Sequence, residues 1–328
     1  MSARLIAIGV CTFRRETLAD TLGSLARQHV PKGAALRIIV ADNDDSPTAA
    51  GLVAKFAART AHGVEYLHAP ARNIAVARNA ILEAAERAGA ARLAFIDDDE
   101  IAAPDWLARL DARMTEDRAD AVMGPVRATY RPGAPEWMQA ARAHDTWPET
   151  GPDGRPIAGH SCNAMIDCAA PAFAGLRFDP ARGRSGGEDS AWFEAARSRG
   201  ARLSFARDAL VSEEVPDARA RLGWLLRRRY RMGQTYASLH YADATPTAKA
   251  ARFAVALAKA AWCMAAATVQ FPSAKARNGN IVRAALHVGV MANLVGLAQP
   301  SIYGAPDTGQ TDRPPMAPNT PKGSDRYE

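Results

Sequence analysis

The chain has 328 residues, enough for one large domain or for a domain with an appendage. Hydrophobic residues make up 48% of it, and arginine carries most of the net charge of +6. This composition leaves nucleotides, nucleic acids and anionic membranes open as partners. The four cysteines form no C-x-x-C pair, which excludes a zinc motif of that spacing and favours a reducing cytosol. The short apolar run after Met1 leads into a strand pattern, so we expect no signal peptide.

Strand patterns alternate with helix patterns through the first hundred residues. Short apolar runs predict strands at 5–11, 36–41, 64–67 and 93–96, and helical apolar spacing covers 16–28, 48–60 and 72–88. This alternation predicts an α/β fold with a mostly parallel central sheet flanked by helices. Ligands of such sheets bind at the carboxyl ends of the strands. Those ends read Thr12-Phe13-Arg14-Arg15, Asp42-Asn43-Asp44-Asp45-Ser46 and Asp97-Asp98-Asp99-Glu100.

The acidic turn at residues 97–100 follows a buried strand directly. Neighbouring carboxylates raise each other's pKa and repel, and a divalent cation removes that cost. Mg²⁺ and Mn²⁺ take hard oxygen ligands, usually one or two carboxylates together with substrate phosphates. We therefore interpret the turn as a metal–diphosphate site, the alternative being a solvated acidic turn. The acids after the second strand are placed to accept hydrogen bonds from a ribose or a base, or else to cap a turn.

The phosphate-binding motifs of two common nucleotide folds are absent. Gly9-Val10-Cys11-Thr12 stands where a dinucleotide fold has G-x-G-x-x-G, and the chain contains no G-x-x-x-x-G-K-[ST] sequence. A metal on Asp97 and Asp99 is therefore the economical way to hold a diphosphate.

With these segments in this order, the chain resembles the family 2 inverting glycosyltransferases, which have the GT-A fold. The resemblance covers residues 5 to about 235 and includes the segment Arg72-Asn73-Ile74-Ala75-Val76-Ala77-Arg78-Asn79, in which Ala75 replaces the usual glycine. It implies Mn²⁺ or Mg²⁺ on Asp97 and Asp99 of a D-x-D motif. It also implies a nucleotide-sugar site, whose expected residues are Thr12, Arg14, Asp42, Arg72, Asn79, Asp97, Asp98 and Asn163. Within that set, Asp42 is expected to contact the base and Arg72 the phosphates.

A second motif, Gly186-Gly187-Glu188-Asp189, lies at the start of a predicted helix. Carboxylates at a helix start are often simple caps, because the helix dipole favours them there. The motif also resembles the acceptor-side motif of the same transferases. That match implies that Asp189 is the catalytic base and that Glu188 supports the acceptor or the motif's geometry. Inverting transfer needs one such base, together with a stabilised leaving group.

The composition changes after residue 215. We expect a catalytic domain at 1–215, an Arg-rich helix with an apolar helical hairpin at 216–304, and a disordered tail at 305–328. The Arg-rich helix, at 217–232, offers Arg228 and Arg229 to the leaving diphosphate or to an anionic membrane, and Glu213 near its start is expected in the active-site wall. The apolar segments 253–271 and 281–298 predict a hairpin in or on the membrane, with a packed helical pair equally open.

These patterns predict a metal-dependent inverting glycosyltransferase that uses a nucleotide sugar, most often UDP-linked in this family. Its acceptor is expected to be a lipid-linked or growing glycan at the cytoplasmic face of the inner membrane. The absence of Q-x-x-R-W favours one sugar per encounter over processive synthesis. The alternatives are a nucleotidyltransferase of similar architecture and a non-catalytic membrane-associated binding protein. No nucleic-acid recognition motif is present, and the sequence predicts no oligomeric state.

Overall fold

The computed structural model describes residues 3–299, and their centre is a twisted sheet of seven strands in the order β3-β2-β1-β4-β8-β6-β9. The strands β1 to β4 are parallel, β8 runs antiparallel to its neighbours β4 and β6, and β9 is parallel to β6. The predicted α/β fold with a mostly parallel sheet is therefore confirmed. The strands are β1 (Arg4–Thr12), β2 (Ala34–Asp42), β3 (Gly63–His68), β4 (Arg92–Asp97), β6 (Ala121–Met123), β8 (Asn163–Asp167) and β9 (Leu203–Phe205).

Helices cover both faces of this sheet, because the side chains of each central strand alternate between two hydrophobic cores. On β1, Ile6, Ile8 and Val10 face one core, while Ala7 and Cys11 face the other. Gly9 allows α3 to approach closely, since a Cβ there would lie 2.4 Å from Ile81 Cγ2. The covering helices are α1 (Leu18–Ala26), α2 (Ala50–Ala57), α3 (Ile74–Arg87), α4 (Trp106–Glu116) and α6 (Glu188–Ser198).

A second, three-stranded sheet lies beside the acidic turn and was not evident from the sequence. It consists of β5 (Glu100–Ala102), β10 (Val211–Val215) and β7 (Val126–Tyr130), in that order. Gly124-Pro125 divides the apolar run 121–130 between β6 and β7, which belong to different sheets. Antiparallel pairing of β10 with β5 sets Glu213 opposite Glu100, so the second sheet adds a carboxylate to the acidic turn.

Between β7 and β8 the chain forms one short helix, α5 (Glu136–Ala141). Three longer helices end the described chain: α7 (Leu222–His240), α8 (Pro246–Val269) and α9 (Ala274–Leu294). Thr245 and Ser273 cap α8 and α9 by accepting hydrogen bonds from Ala248 N and Ala276 N. Because Ser273 starts α9, this helix begins earlier than the apolar pattern at 281–298 predicted. The expected tail at 305–328 lies outside the described residues.

Candidate active site

The acidic turn joins the two sheets at the carboxyl end of β4. Asp97 is the last residue of β4, and Glu100 is the first residue of β5. Glu100 is buried, and its Oε2 accepts a hydrogen bond from the Asp97 amide at 2.9 Å. Glu100 therefore stabilises the turn from its buried side. Asp97 keeps 42% of its side-chain surface exposed, and Asp99 keeps 18%, so these two carboxylates are the ones that reach the cleft.

Burial raises the pKa of several carboxyl groups at this turn. It raises the pKa of Asp97 to about 6, against the guanidinium of Arg78, and that of Asp98 to about 7, against Arg15. Burial, together with the nearby Asp99, also raises the pKa of Glu213 to about 7. Each shift means that the protein alone does not fully stabilise the ionised form of these acids. A bound cation would relieve this cost.

A buried arginine links the acidic turn to the second motif. Arg78, on α3, is buried and pairs with Glu188 at the start of α6, and its Nη2 lies 3.6 Å from Asp97 Oδ1. Burial by itself would lower the pKa of Arg78, but Glu188 and Asp97 hold that pKa above its usual range. Arg78 therefore stays charged and fixes α6 relative to the end of β4. The sequence analysis did not select Arg78, although it lies in the segment that carried the resemblance.

Asp189 follows Glu188 in the first turn of α6 and is partly exposed. Its Oδ1 accepts a hydrogen bond from the Ser190 amide at 2.6 Å. Its charge contributes to the raised pKa values of Asp97 and Arg78, so the motif and the acidic turn share one cleft. Gly187 precedes the helix with φ +87°, and a Cβ there would lie 2.3 Å from Thr235 Cγ2 on α7. Only glycine fits this close, left-handed turn.

The ends of β1 and β2 form the opposite side of the cleft. Thr12 and Asp42 are register partners at the ends of these strands. Arg14 donates to Asp44 Oδ2 at 2.8 Å, and Arg72 donates to Asp45 Oδ2 at 2.8 Å through Nε. Arg14 and Arg72 both have positive φ, +52° and +45°, an uncommon backbone conformation for residues other than glycine. Two arginines are thus held against two acids at the expected nucleotide position.

Asp42 itself is fully buried and bound within the protein. Its Oδ1 accepts from the Asp44 amide at 3.1 Å, and its Oδ2 accepts from the Ala49 amide and the Tyr66 hydroxyl at 2.8 and 2.9 Å. In this structure Asp42 holds the loop that presents Asp44 and Asp45. The base contact expected of Asp42 stays a prediction, and the hydrogen bonds of the structure show that the carboxylate also supports this loop.

Two predicted asparagines are also engaged by backbone groups. Asn79 donates to Phe178 O at 2.9 Å and accepts from Phe178 N at 2.8 Å, which ties α3 to the segment before α6. Asn163 is fully buried, accepts from Trp106 Nε1 at 2.8 Å, and donates to Pro125 O and Ala209 O. Both side chains join segments of the fold close to the cleft, and their expected ligand contacts stay predictions.

The antiparallel direction of β8 brings in residues that sequence reasoning missed. Because β8 runs opposite to β4, its first residue pairs with Ile96, and the segment just before it reaches the same edge of the sheet. There His160 Nδ1 lies 3.2 Å from Cys162 Sγ, and the buried His160 Nε2 has no hydrogen-bond partner among the described residues. Burial lowers the pKa of His160 to about 4, against Asp189 and with the help of Arg228. His160 therefore lies close to both groups and stays neutral.

Two arginines at the amino-terminal side of α7 face the cleft. Arg219, just before this helix, pairs with Glu213 at 2.7 Å and lies 3.7 Å from Asp99. Arg228 stacks over Trp224, with its guanidinium carbon 5.4 Å from the ring centroid, and burial lowers its pKa against the nearby Glu213. Arg229 is the next helical residue, and Arg283 of α9 contributes to its lowered pKa, after burial and Arg228. Of the two arginines predicted to bind the diphosphate, Arg228 therefore lies near Glu213, and Arg229 lies near Arg283.

The donor atoms at the turn fit a divalent cation that also binds substrate phosphates. Among residues 3–299, no group of three or more His, Cys, Asp and Glu side chains is arranged to hold a metal ion. Asp97 and Asp99 supply the one or two carboxylates that Mg²⁺ or Mn²⁺ takes in diphosphate sites. Arg15 lies 3.6 Å from Asp99 Oδ2, beyond a close hydrogen bond. A cation held jointly by these carboxylates and a diphosphate fits this chemistry.

A mostly parallel sheet with an acidic turn at the end of β4, facing an acid-bearing helix start, is the arrangement of the GT-A fold. The chain belongs to glycosyltransferase family 2, whose sequence model, Glycosyl transferase family 2, matches residues 7–183. It is 43% identical over 300 residues to the succinoglycan biosynthesis protein ExoM of Rhizobium meliloti (strain 1021), across 92% of this chain and 96% of ExoM.

Solved structures share the fold at low sequence identity. The mannosyltransferase PcManGT from Pyrobaculum calidifontis, in complex with GDP-Man and Mn²⁺, has a TM-score of 0.57 and 20% identity, covering 88% of this chain and 86% of that one. S. aureus TarS 1-349 in complex with UDP has a TM-score of 0.51 and 17% identity, covering 89% and 88%. These similarities support the GT-A fold that the sequence predicted.

Proposed function

We propose that the protein transfers a sugar, with inversion, from a nucleotide diphosphate sugar to a hydroxyl of a lipid-linked or growing glycan acceptor in exopolysaccharide biosynthesis. The observation that carries this proposal is the shared cleft of Asp189 and the acidic turn, joined through Arg78 and Glu188. The name of ExoM supports an exopolysaccharide product. Two structural neighbours are bound to UDP-GlcNAc and to GDP-Man, which supports a nucleotide-sugar donor. A UDP-linked donor is the first to test.

Asp189 is the proposed base. Its carboxylate takes the proton of the acceptor hydroxyl as that oxygen attacks the anomeric carbon. Inversion follows from a single displacement, so one base is enough. Glu188 does not need to exchange protons, because its role is to hold Arg78 and orient the start of α6. His160 lies near Asp189 and is neutral, so it carries no positive charge that would make the Asp189 carboxylate a weaker base.

The other side of the cleft holds the donor. Asp97 and Asp99 would hold Mn²⁺ or Mg²⁺ together with the diphosphate, and the bound ion stabilises the charge that develops on the leaving group. Arg228 adds a guanidinium beside Glu213 for the departing nucleoside diphosphate. Thr12, Arg14 and Arg72 line the nucleotide position, while Asp42 keeps their loop in place. Asp98, Asn79 and Asn163 support this frame.

We also propose that this reaction takes place at the cytoplasmic face of the inner membrane, where a lipid-linked acceptor is found. Within residues 3–299, one helix, Pro246–Val269, is long and apolar enough to cross a bilayer by length and composition.

The experiment is a thermal-unfolding screen of the full chain with Mn²⁺ and a panel of UDP-, GDP- and dTDP-sugars. We expect one donor to raise the unfolding midpoint and to be hydrolysed slowly to a free sugar and a nucleoside diphosphate. Asp97→Asn combined with Asp99→Asn should remove this protection. Glu116→Gln, which changes an exposed carboxylate on α4, is the matched control and should retain it.

Two outcomes would contradict the proposal. If no nucleoside diphosphate sugar protects the protein, the donor assignment is wrong. If the reaction releases inorganic pyrophosphate from a nucleoside triphosphate, the protein is a nucleotidyltransferase.

A further inference from the structure

The outward face of α8 is apolar along the whole helix. Its buried residues Ala256, Ala260, Cys263 and Ala267 recur at helical spacing and form one narrow stripe of small side chains. Helix α9 packs against α8, so this stripe is the side on which the pair meets. The opposite side carries large apolar residues that no described part of the protein covers. The most exposed are Trp262, Val269 and, just after the helix, Phe271, at 76%, 83% and 65% exposure.

The charges around this face are all of one sign. Between residues 246 and 299 the sequence has six lysines or arginines and no aspartate or glutamate. On α8 itself, Arg252 and Lys259 are seven residues apart and lie on one flank, and Lys249 lies in the first turn, where its Nζ donates to Ala242 O. Lys275 and Arg277 follow in the first turn of α9. An apolar face flanked by basic residues is complementary to an anionic lipid surface, and not to a basic second copy of itself.

Two glycines fix this pair of helices to the catalytic body. A Cβ on Gly233 of α7 would lie 1.9 Å from Leu286 O, and a Cβ on Gly289 of α9 would lie 1.8 Å from Tyr230 O. The backbones of α7 and α9 are therefore in direct contact at their crossing. Because α9 packs against both α7 and α8, the apolar face of α8 cannot turn inward without breaking this crossing.

The same packing argues against a membrane-spanning α8. The helix is about 36 Å long and would cross a bilayer by length alone. However, α9 lies along it and carries Arg283, His287 and Asn280, which would then enter the hydrocarbon at high cost. A helix that lies in the plane of the interface buries only its outward side and keeps α9 in water.

We propose that α8 is a monotopic membrane anchor that lies flat in an anionic bilayer. Its outward side, with Trp262, Val269 and Phe271, enters the boundary between headgroups and acyl chains. The lysines and arginines at its flank bind lipid phosphates. This inference deepens the proposed function by identifying the surface that brings the cleft to a lipid-linked acceptor, but vesicle binding itself does not require that function.

The test is co-sedimentation of the full chain with vesicles of phosphatidylcholine containing about 30% phosphatidylglycerol, against pure phosphatidylcholine. We expect binding to the anionic vesicles that weakens as salt is raised. Trp262→Ser, Val269→Ser and Phe271→Ser combined should lower the partition coefficient about 10- to 100-fold. The control is Ile157→Ser, which changes an exposed apolar residue on a loop of the catalytic body and should bind normally. Lys249→Gln, Arg252→Gln and Lys259→Gln combined should remove most of the preference for anionic lipid.

Depth is measured by quenching of tryptophan fluorescence with brominated lipids, as the difference between the native chain and Trp262→Phe. Quenching by shallow bromines supports the interfacial position, and quenching only at the bilayer centre overturns it. Equal binding of the triple serine variant also overturns the proposal, as does a dimer that this variant converts to a monomer without any vesicle binding. Donor hydrolysis in solution should be unchanged in the variant. If the native chain hydrolyses no donor but still binds anionic vesicles, the proposed transfer reaction is contradicted and the membrane proposal is not.

Discussion

The catalytic cleft and the C-terminal helix pair differ in the sign and the burial of their charged side chains. In the cleft, acids are crowded and partly buried, and arginines such as Arg78 and Arg219 are drawn among them. In the helix pair, from residue 246 to 299, the sequence has no acid at all, and apolar side chains face outward on α8. One region concentrates negative charge inside the protein, and the other leaves positive charge and apolar surface outside.

In our proposals each region binds a further component, and the difference in charge distinguishes the two components. Raised pKa values at Asp97, Asp98 and Glu213 indicate a site that favours an added cation. Exposed Trp262 and Val269 beside basic residues indicate a surface that favours an anionic, apolar layer. The glycine crossing of α7 and α9 joins the two regions, and Arg228 of α7 reaches the cleft. We infer that chemistry and location are divided between them.

The largest expected effect sharpens this division. Asp189→Asn removes the proposed base and should lower the rate of sugar transfer about 10²- to 10⁴-fold, as is typical for loss of general base catalysis. The change preserves the shape of the side chain, so protection of the fold by donor and Mn²⁺ should stay near normal. Transfer kinetics and thermal unfolding measure the two quantities separately.

The same variant should bind anionic vesicles as the native chain does, because α8 is unchanged. Near-normal transfer by Asp189→Asn would assign the base elsewhere. Loss of donor binding with the transfer rate would place Asp189 on the donor side of the cleft.

The next effect concerns stability and tests the buried pairing in the cleft. Arg78→Met leaves Glu188 buried without its partner, so the free energy of unfolding should fall by about 3–5 kcal/mol. Arg109→Met is the matched control, because Arg109 also pairs with two acids, Asp105 and Asp208, but on the surface. Urea unfolding followed by circular dichroism measures both.

Glu188→Gln added to Arg78→Met should restore part of the loss, because the remaining buried charge is then removed. If Arg78→Met is no worse than Arg109→Met, the Arg78–Glu188 pair does not organise the cleft. If the double variant is no more stable than Arg78→Met alone, lost packing rather than an unpaired charge explains the effect.

Much of the fold was predictable from the sequence, because the apolar patterns of β1 to β4 and of the helices between them are regular. The residues at the carboxyl ends of these strands were predictable for the same reason. The role of each polar residue was harder to predict. Residue type gives the hydrogen-bonding capacity of Asp42 or Asn163, but not whether its partners are a ligand or other groups of the protein. In this structure three hydrogen bonds to each side chain come from the protein itself.

His160 was missed for a topological reason. In a parallel sheet the residue before a strand lies far from the ligand edge, and only the antiparallel direction of β8 reverses this. No local pattern marks that direction, because a short apolar run is the same in either orientation. Glu213 was expected in the wall of the site, but its position opposite Glu100 depends on β5, which is too short to be evident as a strand.

The smallest expected effect is the pH dependence that His160 gives to the cleft. Burial lowers the pKa of His160 from an ordinary 6.5 to about 4. Between these values the unfolded chain binds more protons than the folded one, so acid favours unfolding. The contribution of His160 is therefore fully present above pH 6.5 and is lost as the pH falls towards 4. His160→Gln cannot be protonated in this range, so its stability should decline less than that of the native chain.

Urea unfolding of both chains across this pH range measures the difference between their free energies of unfolding. The contribution of carboxyl groups that titrate in both chains cancels in this difference. Their raised pKa values act in the opposite direction, since the stability associated with them declines as the pH rises through the folded values. Vesicle binding should not weaken as the pH falls over the same range, because lysine and arginine on α8 and α9 remain charged and His287 of α9 can only gain a positive charge. A parallel decline of the two chains would show that His160 is protonated as easily in the folded protein as in the unfolded one. The neutral state assigned to His160 would then be wrong. With it would fall the contrast between a cleft that loses stability in acid and a membrane surface that keeps its affinity.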